Sequence, residues 1–137
     1  MKSLLIFGGG WLGRAVGAVL AEHGARVVLL DRAPPQDVPA MAAVIGGVDL
    51  TDPQATRSAF QQAGEQLHGF DGLVNVAGGF RWETLESGSL ESWDALYAMN
   101  LRSTVVACRE ALPRLVNAAG SGIVNVGALA AQKAGAG

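Results

Sequence analysis

Short apolar runs alternate with longer stretches of helical character along this chain, and that alternation restricts the fold more than any single residue does. Ser3 to Phe7, Ala25 to Leu30, Ala42 to Val48, Asp71 to Val76 and Ile123 to Val126 read as strands. The first is followed at once by three glycines, as expected of a buried strand that ends in a tight turn. Trp11 to His23 reads as a helix with Leu12, Val16, Val19 and Leu20 on one face, closed by Gly24. Thr51 or Asp52 can cap a second helix, with Pro53 in its first turn and its end near Leu67. Glu91 to Asn117 reads as a long third helix, bent or loosened near Pro113. Arg32 to Pro39 holds three of the five prolines and is expected as a loop. Gly78 to Leu90 reads as a long polar loop carrying Phe80 and Trp82, and the last ten residues as the start of another loop.

The order β-α-β-α-β-α-β-α-β calls for a parallel sheet with helices on both faces, a doubly wound α/β fold in three layers. Right-handed crossovers leave few topologies. The dinucleotide-binding arrangement, strand order 3-2-1-4-5, puts the first strand at the centre and the ligand crevice at its C-terminal edge. Composition agrees with one packed domain: 137 residues, 50% hydrophobic, and only 16% charged against about 25% in an ordinary domain. The net charge of −2 and the lack of a basic stripe argue against binding nucleic acid or anionic lipid. One cysteine, Cys108, excludes an internal disulfide and a cysteine zinc cage, and no metal site is expected; Cys108 reads as core. The apolar start is too short for a signal peptide core or a membrane span, so a soluble, cytoplasmic protein acting on a small molecule is expected.

Gly8-Gly9-Gly10-Trp11-Leu12-Gly13 satisfies the G-x-G-x-x-G pattern, after an expected strand and at the start of an expected helix. Gly8 permits the turn, Gly10 lets the backbone approach a pyrophosphate, and Gly13 allows helix and strand to pack closely. The helix start, with Trp11 and Leu12, offers free N–H groups and a positive dipole end. Asp31, about 20 residues on, stands where an acid accepts from a ribose 2′-hydroxyl and repels a 2′-phosphate. That argues for NAD over NADP. Arg32 is the complication, since a guanidinium there can hold a phosphate or stay in solvent.

Further along, Asn75-Val76-Ala77-Gly78 closes the fourth strand. With the glycine loop, this resembles the short-chain dehydrogenase/reductase family, whose fourth strand ends Asn-Asn-Ala-Gly. The resemblance runs through the whole chain in order. Val48-Asp49-Leu50-Thr51-Asp52 is similar to the family's segment after the third strand, which implies that Asp49 holds the adenine amino group with Leu50 against the ring. Met99-Asn100-Leu101 resembles the family's Val-Asn-Leu, which implies a place for Asn100 in the catalytic tetrad, holding a water in the proton path. Ala111-Leu112-Pro113 and Gly122 to Val126 match the helix end and fifth strand. The cofactor-binding set implied is Gly8, Gly10, Trp11, Leu12, Gly13, Asp31, Arg32, Asp49, Leu50, Asn75, Ala77 and Gly78, in a Rossmann-type domain.

Two departures stand out. Gly127 and Ala128 occupy the place of the family's catalytic Ser, so that hydroxyl is absent. The family's Tyr-x-x-x-Lys would fall just beyond Gly137, and Tyr97 has Leu101 where a Lys would be needed. The chain is therefore expected to be the cofactor half of a dehydrogenase, incomplete on the C-terminal side of its sheet and inactive alone. One branch, the dihydropteridine reductases, carries a similar but longer glycine loop, a segment like Ala77-Gly78-Gly79-Phe80, and one like Gly127-Ala128-Leu129-Ala130-Ala131 in place of Ser. That likeness adds a quinonoid dihydropterin to the carbonyl and alcohol substrates the family implies. Phe80 and Trp82 either wall the substrate or pack under their loop. The family's long helix packs between subunits, which implies a homodimer or homotetramer of the full-length form. The alternatives are a non-catalytic NAD(P)-binding sensor or degenerate remnant, and a Rossmann protein for another nucleotide such as S-adenosylmethionine.

Overall fold

The computed structural model describes residues 2–34, 37–38, 40–115 and 119–133. Five parallel strands form one sheet: β1 (Ser3–Phe7), β2 (Arg26–Leu30), β3 (Ala43–Ile45), β4 (Gly72–Asn75) and β5 (Gly122–Asn125). Their order is β3-β2-β1-β4-β5, the 3-2-1-4-5 arrangement of a doubly wound Rossmann-type sheet. The helices are α1 (Trp11–Glu22), α2 (Pro53–Leu67), α3 (Leu90–Tyr97) and α4 (Ser103–Leu115), with a π turn at Ala98–Arg102 joining the last two.

Side chains alternate across the sheet because strand residues point to opposite faces in turn. Leu5, Phe7, Val28, Leu30 and Leu73 join Ala59, Phe60, Ala63, Ala107 and Ala111 in the larger core, under α2 and α4. Ile6, Val27 and Leu29 face the other way, against Val16 and Leu20 of α1. Phe60 sits edge-on between Phe7 at 5.9 Å and Phe70 at 6.0 Å, which ties α2 to the central strand and to the start of β4. On the α1 side the sheet is less covered toward β5, where Val124 and Val126 are exposed.

Local chemistry sets the element ends. Asp52 caps α2, its carboxylate accepting from Gln54 N and Ala55 N, with Pro53 at the first helical position. Beyond its C-terminal end, His68 takes the left-handed conformation (φ 57°). The last carbonyls of α2 are held by the Arg26 guanidinium, which donates to Gln66 O at 2.7 Å and Leu67 O at 3.3 Å.

Three expectations from the sequence are corrected. The alternation counted a helix after every strand, but none separates β2 from β3 among the described residues, in keeping with the loop expected from the prolines of Arg32 to Pro39. β3 is shorter than Ala42 to Val48: Gly47 turns with φ +72°, and its N–H leaves the ladder for the Ala33 carbonyl. The long helix is interrupted at Ala98–Arg102, while Pro113 lies inside α4 without ending it. The side chain of Asn100 donates to the Leu96 carbonyl at 2.9 Å, a competing acceptor claim of the kind that loosens helical bonding. The continuation toward Asn117 lies outside the described residues.

Thr56, on α2, is fully buried and its hydroxyl has no hydrogen-bond partner among the described residues. Thr56→Val replaces that hydroxyl by a methyl of similar size and removes an unmet polar group. It is expected to raise stability by about 1 kcal/mol, read as an upward shift of the thermal midpoint. An unchanged or lower midpoint would show that the hydroxyl is satisfied in solution.

Candidate dinucleotide site

At the C-terminal edge of the sheet, where β1 and β4 diverge toward α1 and α3, lies a cleft of about 520 Å³. Its floor is the loop Gly8, Gly9 and Gly10. One wall carries Asp31, Arg32, Asp49, Leu50 and Thr51 from the ends of β2 and β3. The other carries Val76, Ala77 and Gly78 after β4, backed by Ala98, Met99 and Ser103. A second hollow, about 530 Å³, opens beside His68 and Phe70 at the start of β4. It is at the opposite edge from the strand ends where open α/β sheets bind ligands.

The glycines of the loop serve different needs. Gly8 has φ +117°, and a β-carbon on it would come within 2.5 Å of Ala77 N. A β-carbon on Gly13 would overlap the Gly8 carbonyl oxygen, so α1 meets the end of β1 backbone to backbone. A β-carbon on Gly9 would stand 2.8 Å from Oδ2 of Asp31. Gly10, the N-cap of α1, has open space in that direction. Among the described residues no side chain caps α1, whereas Asp52 caps α2 and Ser89 caps α3. The first N–H groups of α1 are thus left for another acceptor, which is what a phosphate requires of a helix start.

The acids of the facing wall are held by neighbouring residues. Asp31 Oδ1 accepts from Arg32 N at 2.7 Å, while Oδ2 faces Gly9. Asp49 Oδ1 accepts from the Thr51 hydroxyl at 2.7 Å and Thr51 N at 2.9 Å. The hydroxyl bond is the largest cause holding the Asp49 carboxyl below the usual carboxylate range, helped by the Thr51 N–H and the Arg32 charge and opposed by slight burial. Asp49 is therefore ionised throughout the neutral and mildly acidic range, an acceptor ready for an amino group.

Of the residues singled out from the sequence, Gly8, Gly10, Asp31, Arg32, Asp49, Leu50, Ala77 and Gly78 are brought together around the cleft. Trp11 and Leu12 are not among the lining residues, and Trp11 is 85% exposed. Gly13 sits behind the loop. Asn75 is buried and turned toward α4: its Nδ2 donates to Asn125 Oδ1 at 2.7 Å and toward Cys108 Sγ at 3.5 Å. It stitches β4 to β5 rather than facing the cleft. Cys108 is half-buried beside that pair, not core. Asn100 is exposed and is not a lining residue; its Oδ1 accepts from Gly79 N at 3.0 Å. Phe80 and Trp82 are 83% and 65% exposed, neither lining the cleft nor packed under their loop. That loop is tied to α3 by Arg81, which donates to the buried Ser92 hydroxyl, and by Ser92, which donates to Glu83. Ala128 is exposed and Tyr97 is not a lining residue.

Sequence reasoning missed Arg14, Met99 and Ser103. Arg14 Nε donates to Gly9 O at 2.9 Å, inside the first turn of α1. The Asp-x-Thr spacing at Asp49 and Thr51 carries the turn signal that would have paired them. Met99 and Ser103 reach the cleft only because α3 and α4 dock there, and nothing local announces it.

A glycine loop between the central strand and an uncapped helix, with an acid at the end of the next strand, defines a nucleotide-binding α/β domain. The family model for short chain dehydrogenases matches residues 2–137, and the chain belongs to that family. D-threitol dehydrogenase of Mycolicibacterium smegmatis is 31% identical over 129 residues, covering 88% of this chain and 49% of that protein. The 2,5-dichloro-2,5-cyclohexadiene-1,4-diol dehydrogenase of Sphingobium indicum is 31% identical over 137 residues, covering 93% and 55%. The chain thus spans about half the length of these curated relatives. Among solved structures, a short-chain dehydrogenase/reductase of Serratia marcescens superposes with a TM-score of 0.84 at 29% identity, over 96% of this chain and 57% of that one. An NADH-dependent reductase, A1-R′, complexed with NAD, gives 0.85 at 27% identity over 98% and 62%. Among the described residues, no helix is long and apolar enough to cross a membrane.

Proposed function

We propose that this chain is the dinucleotide-binding half of an NAD(P)-dependent oxidoreductase that acts on a carbonyl or alcohol substrate in the cytoplasm, and that it prefers NAD. The observation that carries the reading is the uncapped start of α1 above Gly8–Gly10, with the Asp31 carboxylate against Gly9. A bound nicotinamide dinucleotide supplies the hydride. The chain's own residues bind and orient it. The first N–H groups of α1 take the pyrophosphate, Asp31 accepts from the ribose, and Asp49 accepts from the adenine amino group beside Leu50. Ala77 and Gly78 present bare backbone to the other half of the ligand. Asn100 holds that backbone in place through Gly79, and the family resemblance assigns it a water in the proton path.

Proton transfer needs a group that titrates toward the reacting oxygen. Among the described residues the hydroxyls lining the cleft are Thr51, engaged with Asp49, and Ser103, which donates to the Met99 carbonyl at 2.6 Å. Neither is such a group, and we assign the proton donor and the substrate pocket to the part of the protein corresponding to the remaining half of its relatives. Trp93, Tyr97, Leu101, Val105 and Leu112 are exposed along α3, the π turn and α4. They fit a subunit contact in a homodimer or homotetramer.

Fluorescence titration tests this reading. The 137-residue chain is expected to bind NADH more tightly than NADPH and to turn over neither a carbonyl substrate nor a quinonoid dihydropterin. Failure to bind either dinucleotide at millimolar concentration would overturn the site assignment. Turnover by this chain would overturn the placement of the proton donor.

A further inference from the structure

We propose that Arg14 positions the glycine loop for the dinucleotide, and that it acts through the hydrogen bond from its Nε rather than through its charge. The inference rests on the dinucleotide reading above. Gly8, Gly9 and Gly10 are consecutive and carry no side chains, so the loop has more backbone freedom than any other three-residue sequence would give it. A loop ordered only when the ligand arrives lowers the affinity by the cost of ordering. Two of the loop's three residues are held by backbone bonds. Gly8 N donates to Leu30 O at 2.9 Å, and Gly10 O accepts from Arg14 N at 3.1 Å.

The middle residue is held by a side chain. Arg14, half-buried in the first turn of α1, points back toward the helix start, as long helical side chains do. Its Nε donates to Gly9 O at 2.9 Å. The same Gly9 abuts the Asp31 carboxylate, with 2.8 Å between a β-carbon there and Oδ2. One bond therefore fixes the Gly9–Gly10 peptide, whose N–H belongs to the start of α1, and fixes the distance of that peptide from Asp31.

Charge and hydrogen bond can be separated here. Glutamine carries its amide nitrogen the same number of bonds from Cα as the Nε of arginine, so Arg14→Gln keeps a donor in place and removes the charge with the rest of the guanidinium. Arg14→Met keeps the stem and removes both. Calorimetric titration of the purified chain with NADH is expected to give a Kd raised about tenfold in Arg14→Met and within about twofold of wild type in Arg14→Gln. Adenosine, which lacks the pyrophosphate, is expected to bind all three proteins alike. The backbone order parameter of the Gly10 amide, measured by NMR without ligand, is expected to fall in Arg14→Met and to hold in Arg14→Gln.

An Arg14→Met protein with wild-type NADH affinity would overturn the proposal. So would an Arg14→Gln protein as weak as Arg14→Met, which would assign the effect to the rest of the guanidinium. Equal weakening of adenosine and NADH would make Arg14 a general stabiliser of the fold. Should Arg14→Met fail to fold, Arg14→Gln still decides: loss of the Gly10 order parameter or of NADH affinity in that variant refutes the proposal. A wild-type chain that binds no dinucleotide would refute the site reading, a result distinct from a wild type that binds and variants that do not differ.

Discussion

Gly13→Ala is expected to raise the Kd for NADH by more than about 100-fold and to lower the thermal midpoint by about 5–10 °C. The added β-carbon would overlap the Gly8 carbonyl oxygen and stand 3.0 Å from the Gly8 carbonyl carbon and 3.1 Å from Val76 Cγ2. Two of these three atoms belong to backbone that cannot give way cheaply. Gly8 donates to Leu30 O and is itself jammed toward Ala77, while Phe7 O accepts from both Val76 N and Ala77 N. The relief left is to lift the start of α1 off the end of β1. That movement withdraws the helix N–H groups from the phosphate position, and a misplacement of about 1 Å is enough for a loss of that order. Gly10→Ala is the contrasting case. Its β-carbon meets nothing within 4 Å, and its φ of −64° suits alanine. The thermal midpoint is expected to stay while NADH binding weakens, because the methyl occupies space the pyrophosphate needs. Wild-type midpoint and affinity in Gly13→Ala would mean that α1 does not rest on Gly8 in solution.

That contrast also marks what could be learned from the sequence. The pattern Gly8 to Gly13 after an apolar run is a local signal with a local cause: a turn, an approach and a packing contact, each needing a missing side chain. Asp31 was legible for the same reason, since β2 is short and the acid ends it. The strand order followed from alternation and handedness, although no helix stands between β2 and β3 among the described residues, where the prolines already argue for a loop. What escaped was non-local. Asn75 belongs to a motif that places it near the cofactor, yet its side chain alternates onto the α4 face, the face of Leu73, because Val74 between them faces α1. Asn100, inside the π turn, makes two side-chain bonds, to Leu96 O and from Gly79 N. No helical periodicity encodes the second of these. Nothing local marks Arg14, since a basic residue in a first turn, unfavourable to the helix dipole, is ordinarily a solvated charge.

Asp31→Asn is expected to shift the preference between NADH and NADPH by about 100-fold toward NADPH. In the proposed complex the carboxylate accepts from the adenosine ribose, and a hydrogen bond to a charged acceptor contributes about 1.5–3 kcal/mol. Asparagine keeps the size and an oxygen acceptor but loses the charge, so NADH affinity should fall by about tenfold. The opposite sign applies to a 2′-phosphate. A unit charge about 5 Å from the carboxylate is repelled by roughly 3 kcal/mol at an effective dielectric constant near 20. Removing the carboxylate lifts that repulsion, partly screened, and NADPH affinity should rise by about tenfold. Arg32 follows directly and lines the same wall, its N–H already donating to Asp31 Oδ1. Once the acid is neutral, its guanidinium has one less anion to compete with the phosphate. Adding Arg32→Ala to Asp31→Asn should then cancel the NADPH gain and leave the NADH loss unchanged. Titrations of the single and double variants with both dinucleotides measure all four quantities. An unchanged ratio in Asp31→Asn would show that the acid faces solvent in the complex. Retention of the NADPH gain in the double variant would place the phosphate on some cation other than Arg32.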